Sequence, residues 1–188
     1  MPAGAGSPTY PSTACGRVEA PLLTRSWGMH ADALRLQAES YPWYHTLDLG
    51  QGVVTAGMFD HRGVERRYLL PDDLRGWRCL DVGTMDGYWA FAMERRGADE
   101  VVAVDLEDPG ALDWPGRAGL RTETTMDRTK GERFGLAHRA LDSKVVRQLR
   151  SVYDLDDDMG LFDLVFCGDL LVHLKDPVTA VEPEFRSR

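Results

Sequence analysis

A short apolar run that ends in a glycine-rich turn and continues into an apolar helix dominates this sequence. Residues 78–82 (RCLDV) favour a β-strand that stops at Gly83, and residues 87–96 (GYWAFAMERR) have the apolar content of a buried helix. Residues 101–104 (VVAV) are typical of a second, fully buried strand, which ends at Asp105. A strand, a turn, a helix and a strand in this order predict two parallel strands joined by a crossover helix.

The same alternation continues towards the C-terminus. Apolar residues recur at intervals of three and four over residues 133–149, which predicts a second helix. Residues 151–153 (SVY) and 164–167 (LVFC) are predicted as the third and fourth strands. Strands that alternate with helices indicate an α/β protein, and we predict a Rossmann-like, doubly wound and mostly parallel sheet.

The chain is predicted to have three parts. Residues 1–28 are rich in Pro, Gly, Ser, Thr and Ala without periodicity, and we expect a flexible arm there. Residues 29–76 contain a short amphipathic helix, which Pro42 ends, and an aromatic segment punctuated by glycines. Residues 77–188 are expected to form the Rossmann-like domain.

Composition and charge exclude several classes of protein. No run of about 18 apolar residues is present, so no membrane span or membrane partner is expected, and the first residues lack the pattern of a secretory signal. Cys15, Cys79 and Cys167 are far apart, which argues against a disulfide framework or a metal site and favours the cytoplasm. With 22 basic and 30 acidic residues the formal charge is −8, which disfavours a nucleic-acid substrate.

The chemistry is expected at residues 81–87 (DVGTMDG), between the first strand and its helix. Glycines there let a ligand approach the backbone closely, and Asp105 at the end of the next strand can accept hydrogen bonds from ribose hydroxyls. Met85 breaks the G-x-G-x-x-G pattern of dinucleotide sites, which disfavours a nicotinamide-dependent oxidoreductase, and no G-K-[ST] phosphate loop is present. The spacing instead fits a nucleoside with an amino-acid tail.

At these residues the chain resembles the class I S-adenosylmethionine-dependent methyltransferases, and most of all the group related to bacterial tRNA wobble-uridine (5-oxyacetyl- or 5-methoxyuridine) methyltransferases. The resemblance spans roughly residues 41–177. The segments that carry it are residues 43–49 (WYHTLDL), 79–91 (CLDVGTMDGYWAF), 101–105 (VVAVD), 152–155 (VYDL) and 162–174 (FDLVFCGDLLVHL). It implies S-adenosylmethionine as the cofactor.

The resemblance also assigns cofactor-binding roles to individual residues. Asp81 would hold the amino group directly or through water, Asp105 would take the ribose, and Leu106 would flank the adenine. Either Tyr153 or Asp154 would meet the adenine edge. Gly83 and Gly87 would line the methionine moiety, and Cys167 and Gly168 would close the pocket near the sulfonium. Thr84 is also expected to bind the cofactor.

Methyl transfer to an oxygen also needs a general base. His173 is the first candidate for this catalytic role, His45 the second and Asp169 a further one; a structural, hydrogen-bonded histidine is the alternative for the first two. Residues 43–45 lie where this superfamily often places a lid over the cofactor. The other histidines have no motif around them and receive no role, namely His30, His61 and His138.

The C-terminus departs from the family pattern. Only 11 residues follow Pro177, whereas the resemblance implies three more strands, so the sheet is expected to be truncated after its fourth strand. That strand would be an open edge, through which the chain could associate with itself or with a partner. The alternative to an active enzyme is therefore a non-catalytic or partner-completed fragment that acts as a binding module.

The methyl acceptor is left open between a small molecule and a tRNA wobble uridine. The acidic charge and the short C-terminus favour a small molecule, whereas the resemblance points to tRNA. One tRNA branch uses a carboxylated form of the cofactor. The glycine loop contains no basic residue for the added carboxylate, so the ordinary cofactor is expected.

Overall fold

The computed structural model describes residues 30–111, 113 and 128–181, and the predicted N-terminal arm lies outside them. No helix in these ranges is long and apolar enough to cross a bilayer. The helices are α1 (Ala31–Glu39), α2 (Tyr88–Arg95), α3 (Lys130–Ala140) and α4 (Pro177–Val181). The strands are β1 (Trp43–His45), β2 (Gly57–Phe59), β3 (Arg78–Val82), β4 (Glu100–Asp105), β5 (Val146–Leu149) and β6 (Leu164–Cys167).

Four of the strands form one sheet in the order β5-β4-β3-β6. At its centre, Asp81 of β3 lies opposite Ala103 of β4 on one side and Phe166 of β6 on the other. All three strand pairs are parallel, so the carboxyl ends of the strands meet along one edge of the sheet. The predicted α/β class with a Rossmann-like parallel sheet is confirmed.

The two central strands are buried on both faces, which explains their continuous apolar sequences. On one face Val101 packs in a cluster with Phe91 of α2 and Phe134 of α3. On the other face Val102 packs in a second cluster with Leu174. Each fully buried side chain of this size stabilises the fold by about 1.5–3 kcal/mol. Apolar burial therefore holds the strands whose ends carry the site.

The third strand of the sheet is not where the apolar periodicity predicted it. The helix predicted over residues 133–149 stops before Asp142, whose left-handed φ of 50° does not continue a helix, and its last residues belong to β5. Residues 151–153, predicted as the strand, enter a 3₁₀ turn over Val152–Asp154 instead. Both predictions are wrong, because the apolar residues around β5 continue the helical spacing although the backbone has changed direction.

The segment before the sheet packs into the same core. Leu34 of α1, Trp43 of β1 and Leu74 are each at most 2% exposed and share a cluster with Phe91. The short strands β1 and β2 pair in parallel, with Trp43 opposite Gly57. A Cβ on Gly57 would lie 2.0 Å from a backbone carbon of β1, so only glycine allows this approach. The ring of His45 in β1 stacks on that of Tyr88 at 5.2 Å, so the aromatic segment packs against the start of α2.

Candidate functional site

The loop between β3 and α2 turns sharply at the carboxyl edge of the sheet. Gly83 and Gly87 have φ values of 77° and 91°, which glycine adopts without strain. A Cβ on Gly87 would lie 2.4 Å from the Phe91 ring. The amides of Gly83 and Thr84 donate to the carbonyl oxygen of Val104, at 2.9 and 3.1 Å. The loop therefore presents bare backbone beside the end of β4.

Asp105 lies at the end of β4, and its carboxylate already has three donors. Its Oδ2 accepts the amide of Met85 at 2.8 Å, and its Oδ1 accepts the amide of Leu106 at 2.7 Å. The Nζ of Lys130, at the start of α3, lies 2.5 Å from the same Oδ1, with both side chains largely buried. Because a carboxylate offers about four acceptor positions, one remains for a ligand hydroxyl.

A cleft opens over β3 and β4, with Asp105 in its wall. The predicted cofactor residues in this wall are Gly83, Asp105, Leu106 and Tyr153. Among the residues of this wall that sequence reasoning missed are Asp113, Arg150, Ser151 and Leu170. The other predicted cofactor residues lie outside this wall and their ligand contacts stay predictions: Asp81, Thr84, Gly87, Asp154, Cys167 and Gly168.

Tyr153 and Asp113 form a bridge at the cleft. The hydroxyl of Tyr153 donates to Oδ2 of Asp113 at 2.8 Å, and the Nζ of Lys175 lies 2.7 Å from Oδ1 of the same carboxylate. Desolvation and the hydrogen bond to Asp113 raise the pKa of Tyr153, so its phenol keeps its proton. The bridge joins the connection after β4 to the segment after β6. Asp154, the alternative to Tyr153, has an exposed side chain.

Asp81 lies inside the sheet and does not line the cleft. It is 1% exposed, and its Oδ2 accepts the amide of Ala90 in the first turn of α2 at 3.1 Å. Burial raises the pKa of the Asp81 carboxyl to about 6. The carboxyl therefore binds the start of α2, and its contact with a cofactor amino group stays a prediction.

Asp81→Asn is expected to change how stability depends on pH. The pKa of about 6 in the folded protein lies above the ordinary 3.8, so this carboxyl favours folding most below 3.8 and loses that contribution as the pH rises through 6. The difference between these two pKa values corresponds to about 3 kcal/mol. From about pH 4 to about pH 7, the free energy of unfolding of the wild type, measured in urea, should fall by that amount relative to the variant. Parallel profiles would contradict this assignment.

His45, a predicted catalytic residue, is enclosed with a carboxylate. Its Nδ1 lies 2.5 Å from Oδ1 of Asp86, and the two side chains are 6% and 0% exposed. Oδ2 of Asp86 accepts the amides of Tyr44 and His45, at 3.0 and 2.8 Å. Sequence reasoning missed Asp86, which ties the glycine loop to β1. His45 therefore makes a buried structural contact with Asp86, and its catalytic role stays a prediction.

The other two catalytic candidates follow β6. Asp169 is exposed, and its carboxylate lies beside the hydroxyl of Tyr44, whose pKa is raised by desolvation first and by Asp169 second. His173 is half-buried at the end of the 3₁₀ turn Leu171–His173. The structure therefore brings Asp169 to the aromatic segment that contains His45. The predicted roles of Asp169 and His173 stay predictions.

His61, to which the sequence assigned no role, lies among aromatic rings. Its ring centroid is 5.1 Å from that of Tyr68 and 5.3 Å from that of Trp89, and the Tyr68 hydroxyl lies 3.2 Å from its Nδ1. No local spacing reveals this group, because only the fold brings its members together. We call it the histidine–aromatic cluster, and it consists of Tyr44, His45, Phe59, His61, Tyr68, Tyr88, Trp89 and Phe166.

Comparison with known sequences gives one curated relative and no family model. No protein-family model matches the chain. A tRNA U34 carboxymethyltransferase from Campylobacter hominis is 30% identical over 110 residues, which cover 58% of this chain and 32% of the relative. The chain thus spans about a third of the length of this relative.

Comparison with solved structures identifies the fold. The N-terminal domain of EvdMO1 with SAH (S-adenosylhomocysteine) bound has a TM-score of 0.57 at 20% identity, over 85% of this chain and 62% of that domain. EvdMO1 itself gives 0.58 at 17% identity, over 87% of this chain and 34% of that one. The Rossmann-like fold predicted from the sequence is confirmed.

Proposed function

We propose that this chain is an S-adenosylmethionine-dependent methyltransferase, or the cofactor-binding part of one. The observation that carries the proposal is the cleft at the carboxyl edge of the sheet, where bare loop backbone meets Asp105 at the end of β4. Ligands of open α/β sheets bind at this edge, and an acidic residue at this position accepts ribose hydroxyls. The 30% sequence identity with a tRNA U34 carboxymethyltransferase supports the same class of transfer reaction.

The residues of the cleft fit this cofactor. Asp105 keeps an acceptor position for a ribose hydroxyl, and Leu106 and Tyr153 offer an apolar side chain and a ring to the adenine. Gly83 leaves room for the methionine end because it has no side chain. When bound, the cofactor supplies an electrophilic methyl group on a sulfonium. The protein's contribution is to hold donor and acceptor in line for the displacement.

For the acceptor, we propose a small molecule rather than a tRNA. The formal charge of −8 repels a phosphate backbone, although the curated relative is named for tRNA U34. Since the glycine loop carries no basic residue for a second carboxylate, the ordinary cofactor is the one proposed. We also propose a cytoplasmic location, because the widely spaced cysteines do not have the pattern of the disulfide framework that is typical of secreted proteins.

The alternative proposal is a partner-completed or non-catalytic binding module. It is favoured by β6, an outer strand of the described sheet in which all four residues are only half-buried. An edge of this kind can pair with another strand. Size-exclusion chromatography distinguishes the two proposals, since the alternative requires oligomers or a bound partner where the enzyme proposal is compatible with a monomer.

Titration with SAH in a calorimeter tests the proposed function. We expect binding near 1 μM, or about 8 kcal/mol, together with a raised melting temperature. NADH serves as the matched control, because it presents a ribose to Asp105 but lacks the amino-acid tail, and it should not bind. A folded chain that does not bind SAH at millimolar concentration would contradict the proposal.

A further inference from the structure

The histidine–aromatic cluster lies on the other side of the glycine loop from the Asp105 cleft. Asp105 belongs to β4, on one side of β3, whereas Phe166 belongs to β6, on the opposite side. Trp89 follows the loop directly, and its ring centroid is 4.5 Å from that of Phe166. A Cβ on Gly168 would lie 3.8 Å from Nε1 of Trp89. The cluster thus adjoins the loop at the end away from the ribose position.

His61 is placed to exchange a proton with a molecule in this cluster. It is half-buried, and its Nδ1 is engaged by the Tyr68 hydroxyl at 3.2 Å. Within the described ranges, no hydrogen bond to its Nε2 is found. In the tautomer whose Nδ1–H donates to the Tyr68 hydroxyl oxygen, Nε2 carries the lone pair and can accept a proton from a ligand.

The surroundings of His61 favour its neutral form. Desolvation lowers its pKa most, and the nearby His45 lowers it further, while the carboxylates of Asp169, Asp60 and Glu65 act in the opposite direction. The net shift is downward from the ordinary value of 6.5. A neutral imidazole at physiological pH can accept a proton.

The cluster also restricts the shape and charge of its ligand. Tyr68 and Phe59 are 45% and 39% exposed, so ring faces are available on which a flat molecule can stack. The exposed carboxylate of Asp169 near His61 disfavours an anionic ligand, whereas that of Asp60 is already paired with Arg62 at 2.7 Å. A neutral, planar molecule with a hydroxyl group satisfies both conditions.

We propose that the histidine–aromatic cluster binds the methyl acceptor, that this acceptor is a neutral aromatic molecule with a ring hydroxyl, and that His61 is its general base. The inference rests on the proposed function. The hydroxyl oxygen forms the new bond to the methyl carbon while the sulfur–methyl bond of the sulfonium breaks. Sulfur keeps the electron pair, and the hydroxyl proton passes to Nε2 of His61 and then to water.

Catechol is the probe that tests this site. In the SAH complex we expect catechol to bind in calorimetry, whereas cis-1,2-cyclohexanediol, which is not planar, and phenyl phosphate, which is anionic, should not. With S-adenosylmethionine, catechol should be methylated, with a kcat/KM that rises with pH through a pKa below 6.5 and then levels off.

His61→Gln should lower kcat for catechol about 10²–10⁴-fold and remove the pH dependence, while SAH and catechol still bind within a few-fold of wild type. His30→Gln is the matched control, because the His30 side chain is 83% exposed and outside the cluster, and it should behave as wild type. Retained SAH affinity shows that each variant is folded.

Each outcome of these measurements is decisive. SAH binding without catechol binding overturns the acceptor class and leaves the proposed function intact. Catechol methylation that survives in His61→Gln overturns the role of His61. Failure of the wild type to bind SAH overturns the proposed function itself.

Discussion

Asp105→Asn is expected to weaken SAH binding by more than tenfold, and restoring the stability of the variant should not restore the binding. The substitution removes the charge proposed for the ribose and leaves the Lys130 amine, 4% exposed, without a carboxylate. Breaking a buried ion pair in this way costs about 3–5 kcal/mol. In the double variant D105N/K130M no buried charge is left unpaired, so its free energy of unfolding should return to within about 2 kcal/mol of wild type. The one charged hydrogen bond lost to the ribose, worth about 1.5–3 kcal/mol, corresponds to binding weaker by about 10- to 150-fold.

Lys130→Met is the matched control for this pair. It frees a further acceptor position on Asp105 but keeps the carboxylate, so SAH affinity should stay within about tenfold of wild type. Urea unfolding gives the stability of the three variants, and calorimetry gives their affinities. Wild-type SAH affinity in the double variant would show that Asp105 does not take the ribose.

Asp86→Ala is expected to destabilise the protein by about 3–5 kcal/mol. The Asp86 side chain is fully buried and accepts the amides of Tyr44 and His45 as well as the His45 ring. Its removal leaves these donors without an acceptor in a region that water reaches poorly. The free energy of unfolding in urea is the measurement.

Asp48→Ala is the control for Asp86. Asp48 is an exposed residue whose carboxylate accepts one amide, that of Gly50, at 2.9 Å. Its loss should cost less than about 1 kcal/mol. Equal stabilities of the two variants would mean that Asp86 is not the anchor of the aromatic segment.

Two neighbouring strands of the sheet could be predicted from local sequence. Strand β3 and strand β6 have the predicted bounds, residues 78–82 and 164–167, because short apolar runs next to glycine or aspartate have few alternatives to a buried parallel strand. The prediction of one helix over residues 133–149 is wrong because its apolar spacing has more than one structural explanation. Apolar residues three and four apart continue through the turn at Asp142, and spacing alone does not report a reversal of the backbone.

The site could be predicted only where its residues are neighbours in sequence. Asp105 could be predicted as a site residue because it directly follows a predicted strand. Lys130 meets Asp105 across 25 residues, and Asp86 meets His45 across 41. His61 meets Trp89 only because the segment after β2 packs against the start of α2. Such contacts arise from tertiary packing, for which a single sequence carries no periodic signal.

Asp86 belongs to the glycine loop but holds the backbone of the aromatic segment. A ligand that orders the loop therefore also orders the aromatic segment. A second ligand that binds at the aromatic segment then loses less conformational entropy on binding. Coupling of this kind is reciprocal, so each ligand strengthens the binding of the other by the same factor. If the loop and the aromatic segment bind donor and acceptor as proposed, this buried carboxylate makes their binding cooperative.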